Sequence, residues 1–144
     1  MNEQKIQLKG IEVNLSPEAF HRWAEHYYKC KQDFESPHRF SPVPYFLLCR
    51  ALELEIKSRH LKSQRQREVK DKFGHDLILA YKCLPKVDKV LTPNELSVLK
   101  RANEIYKSKG FEYFKPVDAL SGYSAYPDLD ELDAIASKLI SYAA

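Results

Sequence analysis

Glycine is scarce in this chain, four in 144 residues, and the shortage argues against a turn-rich β architecture. Cysteine is also scarce. Cys30, Cys49 and Cys83 are odd in number and far apart, and no CxxC pair exists, so neither a zinc ribbon nor a redox motif is indicated. Each sits within an apolar helical pattern, where a reduced thiol packs as a small hydrophobe. No stretch approaches the roughly 20 apolar residues of a membrane span. The opening MNEQKIQLKG lacks the apolar run of a secretory signal. These absences predict a cytoplasmic protein that needs no membrane, metal or cofactor.

What is present is ordinary for a globular domain: 44% hydrophobic and 30% charged residues. A chain of this length buries roughly 68–70% of the surface its unfolded form exposes. The net charge of +3 is too small to indicate nucleic-acid binding by itself. Its distribution carries more information.

Residues 1–15 predict an arm or a short strand, and residues 16–144 a single helical domain. Ser16, Pro17 and Glu18 predict a helix start, followed by Phe20, Trp23, Ala24, Tyr27, Tyr28 and Phe34 on one face and a stop near Glu35. His26 and Cys30 are four apart, but no third ligand stands at useful spacing for a metal. After the proline-rich connector 37–44, a second helix is predicted over 44–63. It is apolar on most sides, which marks it as central. Glu53–Lys57 and Glu55–Arg59 are i,i+4 pairs worth about 0.2–0.5 kcal/mol each if exposed. Buried, they would require partners.

Between 57 and 72, seven cations stand against two carboxylates, a local charge of +5. The bland expectation is a solvated helix end and loop. The functional one is a phosphate footprint at Arg59, Lys62, Arg65, Arg67, Lys70 and Lys72, for RNA or a nucleotide. Only His60 and Phe73 could supply a stacking surface there. A third helix is predicted from Asp76, with His75 at its start and Pro85 beyond it. The capping box Thr92-Pro93-Asn94-Glu95 opens a fourth, with Gly110 expected as its C-terminal cap. Phe111, Tyr113, Phe114, Tyr123 and Tyr126 predict a loop folded over the bundle. A last helix starts after Asp128, with Glu131 three residues on. The sum is an all-α, up-and-down bundle of about five helices.

The run Glu53-Leu54-Glu55-Ile56-Lys57 resembles the E-L-x-h-K segment of HEPN-type domains (higher eukaryote and prokaryote nucleotide-binding), and Gly74-His75-Asp76-Leu77 resembles their H-D-L motif. The resemblance implies a helical bundle, often dimeric, of the kind found in toxin–antitoxin and phage-defence systems. For active members it also implies a metal-independent ribonuclease with an R-x4-6-H motif. This chain departs from that pattern: Arg22 and His26 have three intervening residues, Arg67 and His75 seven, Arg65 and His75 nine. The expectation is therefore a non-catalytic binding or assembly module, with a divergent HEPN ribonuclease using His75 with Lys57 or Asp76 as an alternative. Glu53, Lys57, His75 and Asp76 would form a polar network joining the second and third helices. A second copy of the chain, RNA or a nucleotide, or another protein would be its partner.

Overall fold

The computed structural model describes residues 16–142 apart from residue 114, and among these it is all-helical, with no strand. The predicted arm at 1–15 and Phe114 lie outside the described residues. Seven α-helices occur in order: α1 (Pro17–Asp33), α2 (Val43–His60), α3 (Gln66–Phe73), α4 (Leu77–Lys82), α5 (Pro93–Tyr106), α6 (Pro116–Leu120) and α7 (Leu129–Tyr142). A single 3-10 turn, Lys86–Asp88, separates α4 from α5.

The four long helices run up and down. His21 at the start of α1 meets Glu55 in the second half of α2, so α1 and α2 are antiparallel. Tyr106 at the end of α5 reaches Glu53, and Lys138 late in α7 reaches Glu95 at the start of α5. Thus α5 opposes both α2 and α7. Tyr45 reaches Pro127 and Arg59 reaches Leu139, which sets α7 parallel to α2.

Helix α2 is the centre. Residues 51–61 are all buried, as its apolar character predicts. Leu48, Leu52 and Ile56 pack with Leu77 of α4, Leu99 of α5 and Leu132, Ile135 and Leu139 of α7. Ser16 caps α1 through a bond from the Ala19 amide, 3.1 Å. The Thr92–Glu95 box closes in both directions at α5, at 3.2 and 2.8 Å. Asp76 caps α4, and Asp128 accepts from the amides of Asp130 and Glu131 at the start of α7.

Five expectations about the fold need correction. Trp23, expected on the apolar face of α1, is 56% exposed. The basic stretch is not a loop after α2: residues 66–73 form α3, because Val69 and Phe73, four apart, bury one face while Glu68 accepts from the Arg65 amide. The left-handed residue closing α5 is Lys109, with φ 62°, rather than Gly110. Gly110 is needed for space, since a Cβ there would lie 2.6 Å from Ile105 Cγ2. Cys30 and Cys83 are exposed and only Cys49 is a core thiol, since Cys30 lies on the outer side of α1 and Cys83 just beyond α4. Finally, segment 111–127 holds the short helix α6. Its aromatics do pack: Phe40 stacks on Tyr123 at 3.9 Å, and Phe111 and Tyr126 bury against Tyr45. Tyr113 stays 65% exposed. Among the described residues no helix is long and apolar enough to cross a membrane.

Candidate functional site

The buried second half of α2 needs partners for the polar side chains it carries, because an unpaired buried charge is costly. Helix α2 carries six of them in a row of eight: Glu53, Glu55, Lys57, Ser58, Arg59 and His60. Their partners divide five of them into two clusters, and His60 stands apart on the Ala80 carbonyl.

The first cluster gathers on Glu53, which is 4% exposed. Its Oε1 accepts from Tyr106 Oη at 2.6 Å and lies 3.0 Å from His75 Nδ1. Its Oε2 accepts from Lys57 Nζ at 2.9 Å and Arg50 Nη1 at 3.3 Å. Burial pushes the Glu53 carboxyl up, but the Lys57 charge and the bonds from Lys57, Tyr106 and His75 outweigh it and hold the group below its ordinary value. Burial, together with the same carboxylate, pushes the Tyr106 hydroxyl far above its usual range, so Tyr106 stays a neutral donor. Burial lowers and Glu53 more than restores the affinity of Arg50 for its proton, and Tyr27 lies under the guanidinium at 5.8 Å.

His75 is placed by the turn between α3 and α4. Gly74 has φ 52° and ψ −121°, a backbone region that a side chain strains, and its carbonyl accepts from Lys57. The turn presents an imidazole whose side chain is 58% exposed while Nδ1 stays on the buried Glu53. With Nδ1 donating to the carboxylate, Nε2 is the nitrogen left to exchange a proton with a ligand. Asp76 turns elsewhere. It accepts from Asn103 Nδ2 at 2.9 Å, and Asn103 Oδ1 accepts from the Leu77 amide at 2.8 Å, tying α4 to α5. Glu53, Lys57 and His75 therefore touch directly, and Asp76 joins them only through the chain.

Two cavities open beside His75. One, of about 190 Å³, has an apolar wall of Phe20, Leu54, Leu61 and Val69 and the polar groups Arg50, Glu53, Lys57, Gln66, Lys70 and His75. The other, of about 330 Å³, is lined by Phe46, Arg50, His75, Tyr106, Lys109 and Glu112. Arg50 and His75 line both. Four cations against Glu53 and Glu112 leave the cleft net positive, a setting for an anion.

The second cluster is closed. Glu55, fully buried, binds His21 Nδ1 at 2.6 Å and Arg59 at 3.3 Å, and Arg59 also donates to the Leu139 carbonyl. Arg59 is 4% exposed, with the Tyr142 ring beside it at 5.7 Å. Its assignment to an exposed phosphate footprint is corrected: the side chain turns inward, under α7. Lys62, Arg65, Arg67, Lys70 and Lys72 are exposed, and with Glu68 and Asp71 they leave the segment a surface charge of +3 rather than +5. Of these five, only Lys70 lines the His75 cleft. The expected stacking pair is also inside. His60 is 3% exposed, donates to the Ala80 carbonyl at 2.8 Å and packs on Phe73 at 4.4 Å.

Sequence reasoning singled out His75 and Lys70 but missed Arg50, and it read Tyr106 and Lys109 only as parts of a helix. The one signal at Arg50 was a lone cation in an otherwise apolar run, Tyr45 to Leu52. No family model, curated protein or solved structure matches the chain. The function therefore rests on this geometry alone.

Proposed function

We propose that the protein is an all-α binding module, HEPN-like in its motifs, whose cleft at His75 takes a phosphate-bearing ligand, RNA or a nucleotide. One observation carries the reading: Arg50 and a half-exposed imidazole, oriented from behind by the buried Glu53, line both cavities of a cationic cleft. A guanidinium offers a phosphate two parallel donors, and the imidazole adds a third only in its protonated form. Lys70 and Lys109 extend the positive field on either side. The exposed cations of 62–72 continue it along α3 and would raise the rate of encounter.

Fluorescence anisotropy with a labelled single-stranded RNA at low salt tests this. Lys70→Glu combined with Lys109→Glu, both exposed positions, should weaken binding at least about tenfold and lower the salt slope by roughly one per lost phosphate contact. No binding at low salt, or binding indifferent to the pair, contradicts the proposal. A second reading is favoured by the Glu53–His75 bond, since an oriented imidazole can also carry a proton in cleavage of the bound ester. Denaturing gels of the same RNA read it out: cleavage that disappears in His75→Ala supports it, and intact RNA rejects it.

A further inference from the structure

A third cavity, of about 600 Å³, lies at the start of α2, between the end of α1, the connector after it and the first residue of α7. It shares no lining residue with the His75 cleft. Its volume falls within the roughly 300–1,000 Å³ of small-molecule sites. The connector wall is tied down by its own bonds. Phe40 stacks on Tyr123, Ser36 Oγ donates to the His38 carbonyl at 2.7 Å, and Ser41 Oγ accepts from the Val43 amide at 3.1 Å.

Two side chains in this cavity have no task in the fold. Arg39 is exposed and makes no hydrogen bond or ion pair among the described residues. Phe34 is half-buried, yet it lies outside the hydrophobic core and meets no other ring among the described residues. The second lining cation, Lys31, is already held by Asp133. Asp128 and Asp130 are also near, and their charge adds to burial in raising the Tyr45 hydroxyl above its ordinary value. These three carboxylates outnumber the two lining cations, so the surroundings repel a phosphate or a polyanion. A single carboxylate is accepted, because a direct two-point contact with one guanidinium outweighs more distant, salt-screened charges.

We propose that this cavity is a second site, which binds a small monocarboxylic acid carrying a ring, with its carboxylate on Arg39 and its ring on Phe34. Leu129 and Phe40, both half-buried, complete the apolar side. The site selects on two features at once, and each can be removed from the ligand separately.

NMR titration of the full chain at constant ionic strength, with the Phe34 and Phe40 rings as reporters, compares phenylacetate with acetate, phenylacetamide and inorganic phosphate. Phenylacetate should shift both rings saturably. Phenylacetamide, which lacks the charge, and acetate, which lacks the ring, should each bind at least about tenfold more weakly. Inorganic phosphate should leave Phe34 unmoved, whatever it does at His75. Arg39→Gln, at an exposed position without partners, should weaken phenylacetate binding by about tenfold or more. Phe34→Ala should bring phenylacetate down to the level of acetate. Absence of a saturable phenylacetate shift overturns the proposal. So does phenylacetamide or acetate binding as well as phenylacetate, phosphate saturating the same signals, or binding unchanged in Arg39→Gln.

Discussion

Helix α2 holds two acid–base pairs of identical spacing, Glu53–Lys57 and Glu55–Arg59, and they meet opposite surroundings. A shift of two residues turns one pair about 200° from the other around the helix. The Glu53 side looks toward the α3–α4 turn and the end of α5, where Gly74 and His75 leave a cleft. The Glu55 side looks toward α1 and α7, where His21, Leu139 and Tyr142 close over it. Both carboxylates are buried, and both hold a histidine. What separates a candidate site from a structural tie is the cover, supplied by residues far away in the chain.

The closed pair gives the largest expected effect. Glu55→Ala leaves Arg59 buried with the Leu139 carbonyl as its remaining partner, and one guanidinium nitrogen, Nη1, already has no partner. Breaking a buried pair in this way costs about 3–5 kcal/mol. Urea unfolding should show that loss. A cost under about 1 kcal/mol would mean that the closed side admits water and that the contrast between the two sides is false.

A smaller effect is pH-dependent and sharpens the same contrast. Burial, opposed by the Ala80 bond, holds His60 below its ordinary value of 6.5, so the unfolded chain takes up that proton first as pH falls. Stability should therefore be fully present above 6.5 and decline below it, toward the depressed folded value. Glu53 is also depressed, mainly because its partners outweigh burial. Its contribution is present above the ordinary 4.5 and is lost as pH falls through the lower folded value. Unfolding midpoints measured from pH 8 to 3 should show a first decline below 6.5 that His60→Gln removes, then a second below 4.5. A first decline that survives the substitution would assign it to another group.

Much of the fold was legible because caps are written in contiguous residues. Ser16-Pro17-Glu18, Thr92 to Glu95, and Asp76 and Asp128 each mark a helix start within one turn of chain, and each does so in the structure. Helix α3 was not legible, because two apolar residues, Val69 and Phe73, were outnumbered by the charges around them. Arg59 and His60 misled for a related reason. Charge was read as exposure, but α7 and α4 arrive from later in the chain to cover them. Arg50 has no local signature beyond standing as a lone cation in an apolar run. Its meaning depends on α2, the Gly74 turn and the end of α5 converging, and no spacing in the sequence records that.

The most direct measurement follows the imidazole nitrogens of His75 and His21 by NMR while inorganic phosphate is added at constant low ionic strength. The open cleft predicts a saturable shift at His75 Nε2 and a much smaller one at His21, whose side chain is 28% exposed and held on Glu55. An unmoved His75, or equal shifts at both histidines, would contradict the claim that the Glu53 side of α2 is the protein's binding face.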